Sequence, residues 1–460
     1  MSDETYDIDD LIKSGRDALS QGRYEDATSY IGMASKQIDE QIRNLGRTLE
    51  KTGESSDAMA RLAEKLEKLQ IRQRTTTYLL ETIDKEKDRA NRFRKVVEGI
   101  IGTRIVISIQ ENKERIDAIL SKPRTIGSND SYFLCLRKWN SYTPLVNVSE
   151  EPRQGGGYFL AWNGKGIVID PGIGFLQNFL SSGYSISDID AVLITHSHVD
   201  HTSDFEAILT LLQEVNDLRR TSGVNPHKPK IYLNIGAATK FMQLLSISYE
   251  NVEERVLLDP GANHALFPGL TVTVCEAFHS DLYAPRGRCV GLLFGLKNGH
   301  KSYNFGVTSD TGYMSELKNE FSRLNGAMII LHLGSILEDE LRLEGPTERI
   351  YREHLGIRGA FNLIYDVSPR LAVISEIGEE LQDCICSLAE NLRAVFPDTV
   401  ILPADVGLKI DLSRFGDPLA VECQGCETFV NIEDVIYSYA SDKGNMRYLC
   451  KECNTSGILT

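Results

Sequence analysis

The chain has 460 residues, 42% of them hydrophobic and 25% charged, which suits a globular protein of two or three domains. No apolar run approaches the roughly 18 residues needed to cross a bilayer, and the N-terminal stretch Met1-Ser2-Asp3-Glu4-Thr5-Tyr6-Asp7 is acidic with no apolar core, so the sequence predicts neither a membrane span nor a signal peptide, and a cytoplasmic location. The net charge of −15 is unevenly placed: residues 1–130 carry 23 Lys+Arg against 24 Asp+Glu, so nearly all of the negative charge falls on the rest of the chain. Such a region repels a long phosphate backbone, which argues against a processive nuclease and for a small or short substrate.

Residues 1–125 contain no histidine, tryptophan or cysteine and are rich in Glu, Lys, Arg, Leu and Ile, a helical composition. Ala18 to Ala34, with small and aromatic residues around Gly22-Arg23-Tyr24, resembles one tetratricopeptide-type hairpin; no second copy follows. Leu62, Leu66, Leu69, Leu79, Leu80 and Ile83 continue at loosely helical spacing amid charges. A plain helical bundle and a coiled coil or partner-binding hairpin both fit this segment. The apolar stretch Val96–Ile109, interrupted by Gly99 and Gly102, is left open.

Past Pro123 and Gly127 the pattern turns to short strands: Tyr132–Leu136, Gly157–Trp162, Ile167–Asp170 and the fully apolar Ala191–Ile194. Phe205–Leu218 reads as a helix, and Lys230–Asn234 and Leu270–Cys275 as further strands, giving an α/β layered domain to about residue 410. The strand Ala191–Ile194 ends directly on Thr195-His196-Ser197-His198-Val199-Asp200-His201. Neutral imidazoles and a carboxylate at that spacing suit Zn²⁺, with Mn or Fe admitted as oxygen ligands accumulate.

Here the sequence resembles the metallo-β-lactamase superfamily, over roughly residues 131–410. Asp170-Pro171-Gly172 resembles its first motif, His279 its third, Asp310 in Ser309-Asp310-Thr311-Gly312 its fourth, and His354 its fifth. The resemblance implies one metal held by His196, His198 and His279, a second held by Asp200, His201 and His354, and Asp310 bridging them. Drug-hydrolysing β-lactamases generally lack that bridging Asp, and the superfamily's diiron oxygen reductases usually have Glu where His198 stands. Only 43 residues separate Asp310 from His354, too few for the inserted domain of the large RNA-processing and DNA-repair nucleases.

What remains resembles ribonuclease Z and other phosphodiesterases, with thioesterases of the glyoxalase II kind and lactonases as the alternative. A third reading is an assembly protein whose helical arm recruits partners and whose metal site is secondary. His332, closing the apolar run Met328–Leu331, stands where ribonuclease Z-like enzymes place a histidine that assists the phosphate or the leaving group. The resemblance therefore puts Asp200 and His332 at the chemistry. The acidic partner usual just before the bridging Asp is absent, and Glu376 could substitute for it.

The nine cysteines, an odd number without a secretory signal, read as thiols and metal ligands. Cys423-Gln424-Gly425-Cys426 and Cys450-Lys451-Glu452-Cys453 are two knuckles 23 residues apart, the spacing of a four-thiolate structural zinc ribbon. Cys384-Ile385-Cys386 has no second pair and reads as a helical core feature. The expected architecture is a helical hairpin or coiled-coil domain over 1–125, a metallo-β-lactamase αββα sandwich over 131–410, and a four-cysteine zinc ribbon over 415–460. With it go two catalytic divalent ions, one structural zinc, a short phosphodiester substrate, a homo-oligomer, and a possible protein partner on the N-terminal helices.

Overall fold

The computed structural model describes residues 7–51, 56–101, 103–140, 155–247, 249–285, 288–324, 327–341, 353–439 and 445–456. It divides into two compact units, Met1–Arg115 and Ile116–Thr460. The first four helices are α1 (Ile8–Ser20), α2 (Tyr24–Lys51), α3 (Ser56–Ile101) and α4 (Arg104–Leu120). Helix α1 begins where the Asp7 carboxylate accepts from Asp9 N at 2.7 Å, satisfying one of the free first-turn amides. Gly15 lets α2 approach: a Cβ there would fall 2.4 Å from the side chain of Ile31.

The hairpin expected around Gly22-Arg23-Tyr24 is thus the α1–α2 turn. Its apolar face (Leu11, Ile12, Ala27, Ile31, Ala34, Ile38) is buried with Leu69, Leu79 and Ile83 of α3, each large side chain stabilising by about 1.5–3 kcal/mol. Leu62 and Leu66 are only half-buried. Val96–Ile101, in the stretch that periodicity leaves open, continues α3, and Arg104–Ile109 opens α4. Phe93, Val96, Ile101, Ile105, Ile107 and Ile109 are exposed. No helix among the described residues is long and apolar enough to cross a membrane.

In the second unit, two sheets stack face to face. The strands of the first are β1 (Tyr132–Cys135), β2 (Tyr158–Trp162), β3 (Lys165–Ile169), β4 (Ala191–Ile194), β5 (Lys230–Leu233) and β6 (Glu254–Leu257). Those of the second are β7 (Asn263–Phe267), β8 (Leu270–Ala277), β9 (Cys289–Asn298), β10 (Lys301–Val307), β11 (Met328–Gly334), β12 (Leu371–Ile377) and β13 (Val400–Pro403). The chain then returns to the first sheet with β14 (Lys409–Asp411), β15 (Ala420–Glu422) and β16 (Phe429–Asn431).

The first sheet runs β16-β15-β14-β1-β2-β3-β4-β5-β6 and the second β13-β12-β11-β10-β9-β8-β7. Phe133, Tyr158, Leu160, Ile169 and Leu193 of the first meet Val272, Leu292, Phe294, Phe305 and Leu331 of the second in one core. Leu317, Leu363, Ile364 and Leu392, from the helices around β10–β13, join that core. Phe175, Phe179, Ile208, Leu209 and Leu212 cover the other face of the first sheet. This is the expected αββα sandwich. Strands β3 to β6 and β10 to β13 pair in parallel, so the C-terminal ends of β3, β4, β10, β11 and β12 can carry a site between the sheets.

The strands around the cysteine knuckles join the sandwich. Strands β15 and β16 extend the catalytic sheet, Val421 pairing with Ile410. The following hairpin, β17 (Ile436–Tyr439) and β18 (Met446–Leu449), buries Met446 and Tyr448 in the sandwich core. Tyr448 OH donates to Pro403 O at 2.8 Å, and Met446 N to Asp405 Oδ2 at 2.8 Å. The segment after residue 415 thus buries apolar residues against the sandwich. The expectation for Cys384-Ile385-Cys386 also changes: Ile385 is buried, but Cys384 is exposed and Cys386 half-buried at the start of a helix.

Candidate metal centre

Each strand end delivers one part of the site. After β3, Asp170 accepts from Thr195 N at 2.8 Å and from Thr195 Oγ1 at 2.7 Å, and lies 3.0 Å from His201 Nδ1. That carboxylate fixes the loop after β4 and turns His201 so that Nε2 faces the site. Gly172 is needed because a Cβ there would strike the carbonyl oxygen of Asp200. After β8, His279 Nδ1 donates to Glu353 O at 2.6 Å, which aims Nε2 to within 3.1 Å of His198 Nδ1. Two ligands of a tetrahedral ion at about 2.0–2.1 Å stand about 3.3 Å apart, so this pair has the spacing of a shared ion.

The ligand atoms of His196, His198, His279 and Asp310 all lie within 4.8 Å of one another, as do those of Asp200, His201, Asp310 and Glu376. Asp310 belongs to both groups. Its Oδ2 lies 3.3 Å from His201 Nε2, 3.6 Å from His196 Nε2, 3.8 Å from His279 Nε2 and 3.1 Å from His354 Nε2. His196 Nε2 is buried without a hydrogen-bond partner, an arrangement that a metal ion relieves. Burial and the neighbouring His201 hold His196 well below the usual histidine range, hence neutral and able to ligate. The residues therefore fit a pair of divalent ions sharing Asp310.

Two further histidines, His354 and His332, also meet Asp310. His354 reaches Asp310 but lies outside the second group of four, where Glu376 stands, 2.9 Å from His201 Nε2. His332 is fully buried. Its Nδ1 faces Asp310 Oδ1 at 3.0 Å and also touches Glu376, while Nε2 pairs with Tyr158 OH at 2.9 Å. Burial works against charge on this ring, yet Glu376 and Asp310 hold it above the usual range. The ring of His332 thus packs against the Asp310 carboxylate.

Several supporting residues carry no sequence signal of their own. Arg137 is wholly buried; it donates to the Glu376 carboxylate and, at 2.6 Å, to Asp200 O. Burial would raise Glu376, but the Arg137 guanidinium holds it well below the usual carboxylate range. Asp281 accepts from Ser197 N at 3.0 Å and from Asn234 Nδ2 at 3.1 Å, and Lys240 Nζ donates to Ser197 O at 2.8 Å, so the metal loop is gripped from both sides. Asp170, Ser309 and Glu376 have φ of 50°, 55° and 54°. Left-handed backbone at three non-glycine positions around one site is strain held by the surrounding packing.

The thiols of Cys423, Cys426, Cys450 and Cys453 also gather within 4.8 Å. Burial would raise the Cys423 thiol, but the backbone N–H groups of Cys450, Cys426 and Gly425 hold it down to about 6. Four sulfurs so placed fit a closed tetrahedral ion.

Residues 165–375 match the beta-lactamase superfamily domain. The matched span includes every histidine and aspartate of the centre, and Glu376 lies one residue beyond it. A ribonuclease Z of Streptomyces avermitilis is 25% identical over 151 residues, 31% of this chain and 49% of that protein. A metal-dependent hydrolase of Polaromonas sp. is 25% identical over 224 residues, 45% of this chain and 72% of that protein. The chain spans about half, or less, of the length of the ribonucleases Z it matches first. Among solved structures, a metallo-beta-lactamase fold protein from Bacillus subtilis aligns with 14% identity and a TM-score of 0.45, covering 60% of this chain and 97% of its own.

Proposed function

We propose that the protein is a dinuclear-metal phosphodiesterase acting on a nucleotide, cyclic nucleotide or short nucleic acid. The observation that carries this reading is the pair of four-ligand groups hinged on Asp310. Two divalent ions held there would supply Lewis acidity and an activated water, the chemistry a phosphoryl displacement needs. The similarity to proteins named ribonuclease Z favours a phosphodiester, and the acidic balance of the chain favours a short one.

In this reading Asp200, His201 and Asp310 bind, Asp170 orients His201, and His332 orients Asp310 from behind. His354, whose side chain is 13% exposed against 0% for His332, faces the more open side of the centre. The test is turnover of bis(4-nitrophenyl) phosphate, a thioester and a lactone by the purified, metal-supplemented chain. Hydrolysis of the phosphodiester well above the other two is expected; faster thioester or lactone turnover would replace the proposal with the glyoxalase-like alternative.

His332 supplies a second check. As an orienting residue, its replacement by alanine should lower turnover of an alkyl and a nitrophenyl phosphodiester by the same factor, about 10–100-fold. A general acid would matter for the poor alkyl leaving group alone, by about 10²–10⁴-fold. A loss confined to the alkyl ester would restore the leaving-group role.

A further inference from the structure

We propose that the two halves of the metal centre differ in metal preference: the first takes zinc, and the second, completed by Glu376, takes a harder divalent ion such as Mn²⁺ or Fe²⁺. The inference rests on the dinuclear reading above, but its test reads metal identity and not hydrolysis. The donor sets differ in chemistry. His196, His198 and His279 give the first half three imidazoles and one shared carboxylate; Asp200, Asp310 and Glu376 give the second three carboxylates beside the imidazole of His201, with that of His354 at 3.1 Å from Asp310 Oδ2. Imidazole suits zinc, whereas carboxylate oxygen suits manganese and other hard cations.

Glu376 is placed for this role by the fold. It is the penultimate residue of β12, in left-handed backbone with φ 54°, a conformation a glutamate adopts only when its surroundings impose it. Its carboxylate is fully buried and touches His201, His332 and Arg137. A third carboxylate beside Asp200 and Asp310 would be costly in an interior without a compensating cation. Arg137 is that cation: it is equally buried, and its second amino group holds the backbone of Asp200. Three carboxylates, one guanidinium and one divalent ion sum to zero formal charge. Arg137 is therefore a positioning residue of the second half.

The experiment uses the full chain produced with manganese in large excess over zinc, because zinc has the higher raw affinity for nearly any site and only the difference between halves is informative. Elemental analysis should give about one manganese and two zinc per chain, and anomalous scattering at the two absorption edges should place manganese on Glu376 and zinc on His279. Glu376→His exchanges one carboxylate of the second half for an imidazole and should exchange its manganese for zinc. The double variant Arg137→Met with Glu376→His avoids an unpaired buried guanidinium, and its ribbon zinc reports that the fold is intact. Manganese spread equally over both halves, zinc in both, or an unchanged manganese content in a Glu376→His protein that keeps its ribbon zinc would each overturn the inference. A chain that shows this metal pattern yet cleaves no phosphodiester would remove the proposed function and leave the metal assignment standing.

Discussion

Asp310→Ala is expected to lower hydrolysis by about 10³-fold or more, since the interactions that stabilise developing charge are lost together. The expectation follows from position. One oxygen of Asp310 faces His196, His201, His279 and His354, and the other faces His332. Burial would raise this carboxyl, but His201 and His354 hold it well below the usual range, so it is an anion among imidazoles. Without it, neither half keeps four ligands. Metal content should fall toward the single ribbon zinc, whose ligands lie on other segments. Asp310→Asn keeps the volume but removes the charge, and should lose the second ion before the first, which retains three imidazoles. Near-normal turnover by either variant would mean that Asp310 does not join the two halves.

Cys423→Ser should have the largest effect on stability. Structural zinc sites contribute roughly 10–16 kcal/mol in small domains that fold around them, against a net stability of about 5–15 kcal/mol for a typical protein. Here the ribbon shares strands with the sandwich: Val421 pairs with Ile410, and Met446 and Tyr448 belong to the core. Loss of the ion should therefore lower the melting temperature of the whole second unit and most of its soluble yield, with the catalytic ions lost in the same transition. A variant that melts at the wild-type temperature with only the ribbon zinc missing would show the ribbon to be an independent appendage after all.

Much of the sandwich is plain in the sequence for physical reasons. Ala191–Ile194 and Met328–Gly334 are readable because a buried parallel strand is apolar almost throughout and each run meets a polar site residue at its C-terminal end. The four ribbon cysteines are readable because closed zinc sites need little beyond thiol spacing. The supporting network is not. Arg137 and Glu376 are 239 positions apart, and neither lies in a motif. In the sequence Glu376 stands out only as a possible partner for a histidine, since its place among the ligands depends on a left-handed turn late in β12 that composition does not reveal. The role of His332 turns on which side of Asp310 its ring occupies, and a strand-end position is compatible with either side. The helical arm is legible as helix from its composition, although the charges of α3 leave that helix no single apolar face.

Elemental analysis of the full chain after gentle purification in metal-supplemented buffer tests the central claim most directly. Two ions in the centre and one in the ribbon predict a value close to three per chain. A value near one, retained by the ribbon cysteines alone, would contradict the dinuclear centre and every step built on Asp310.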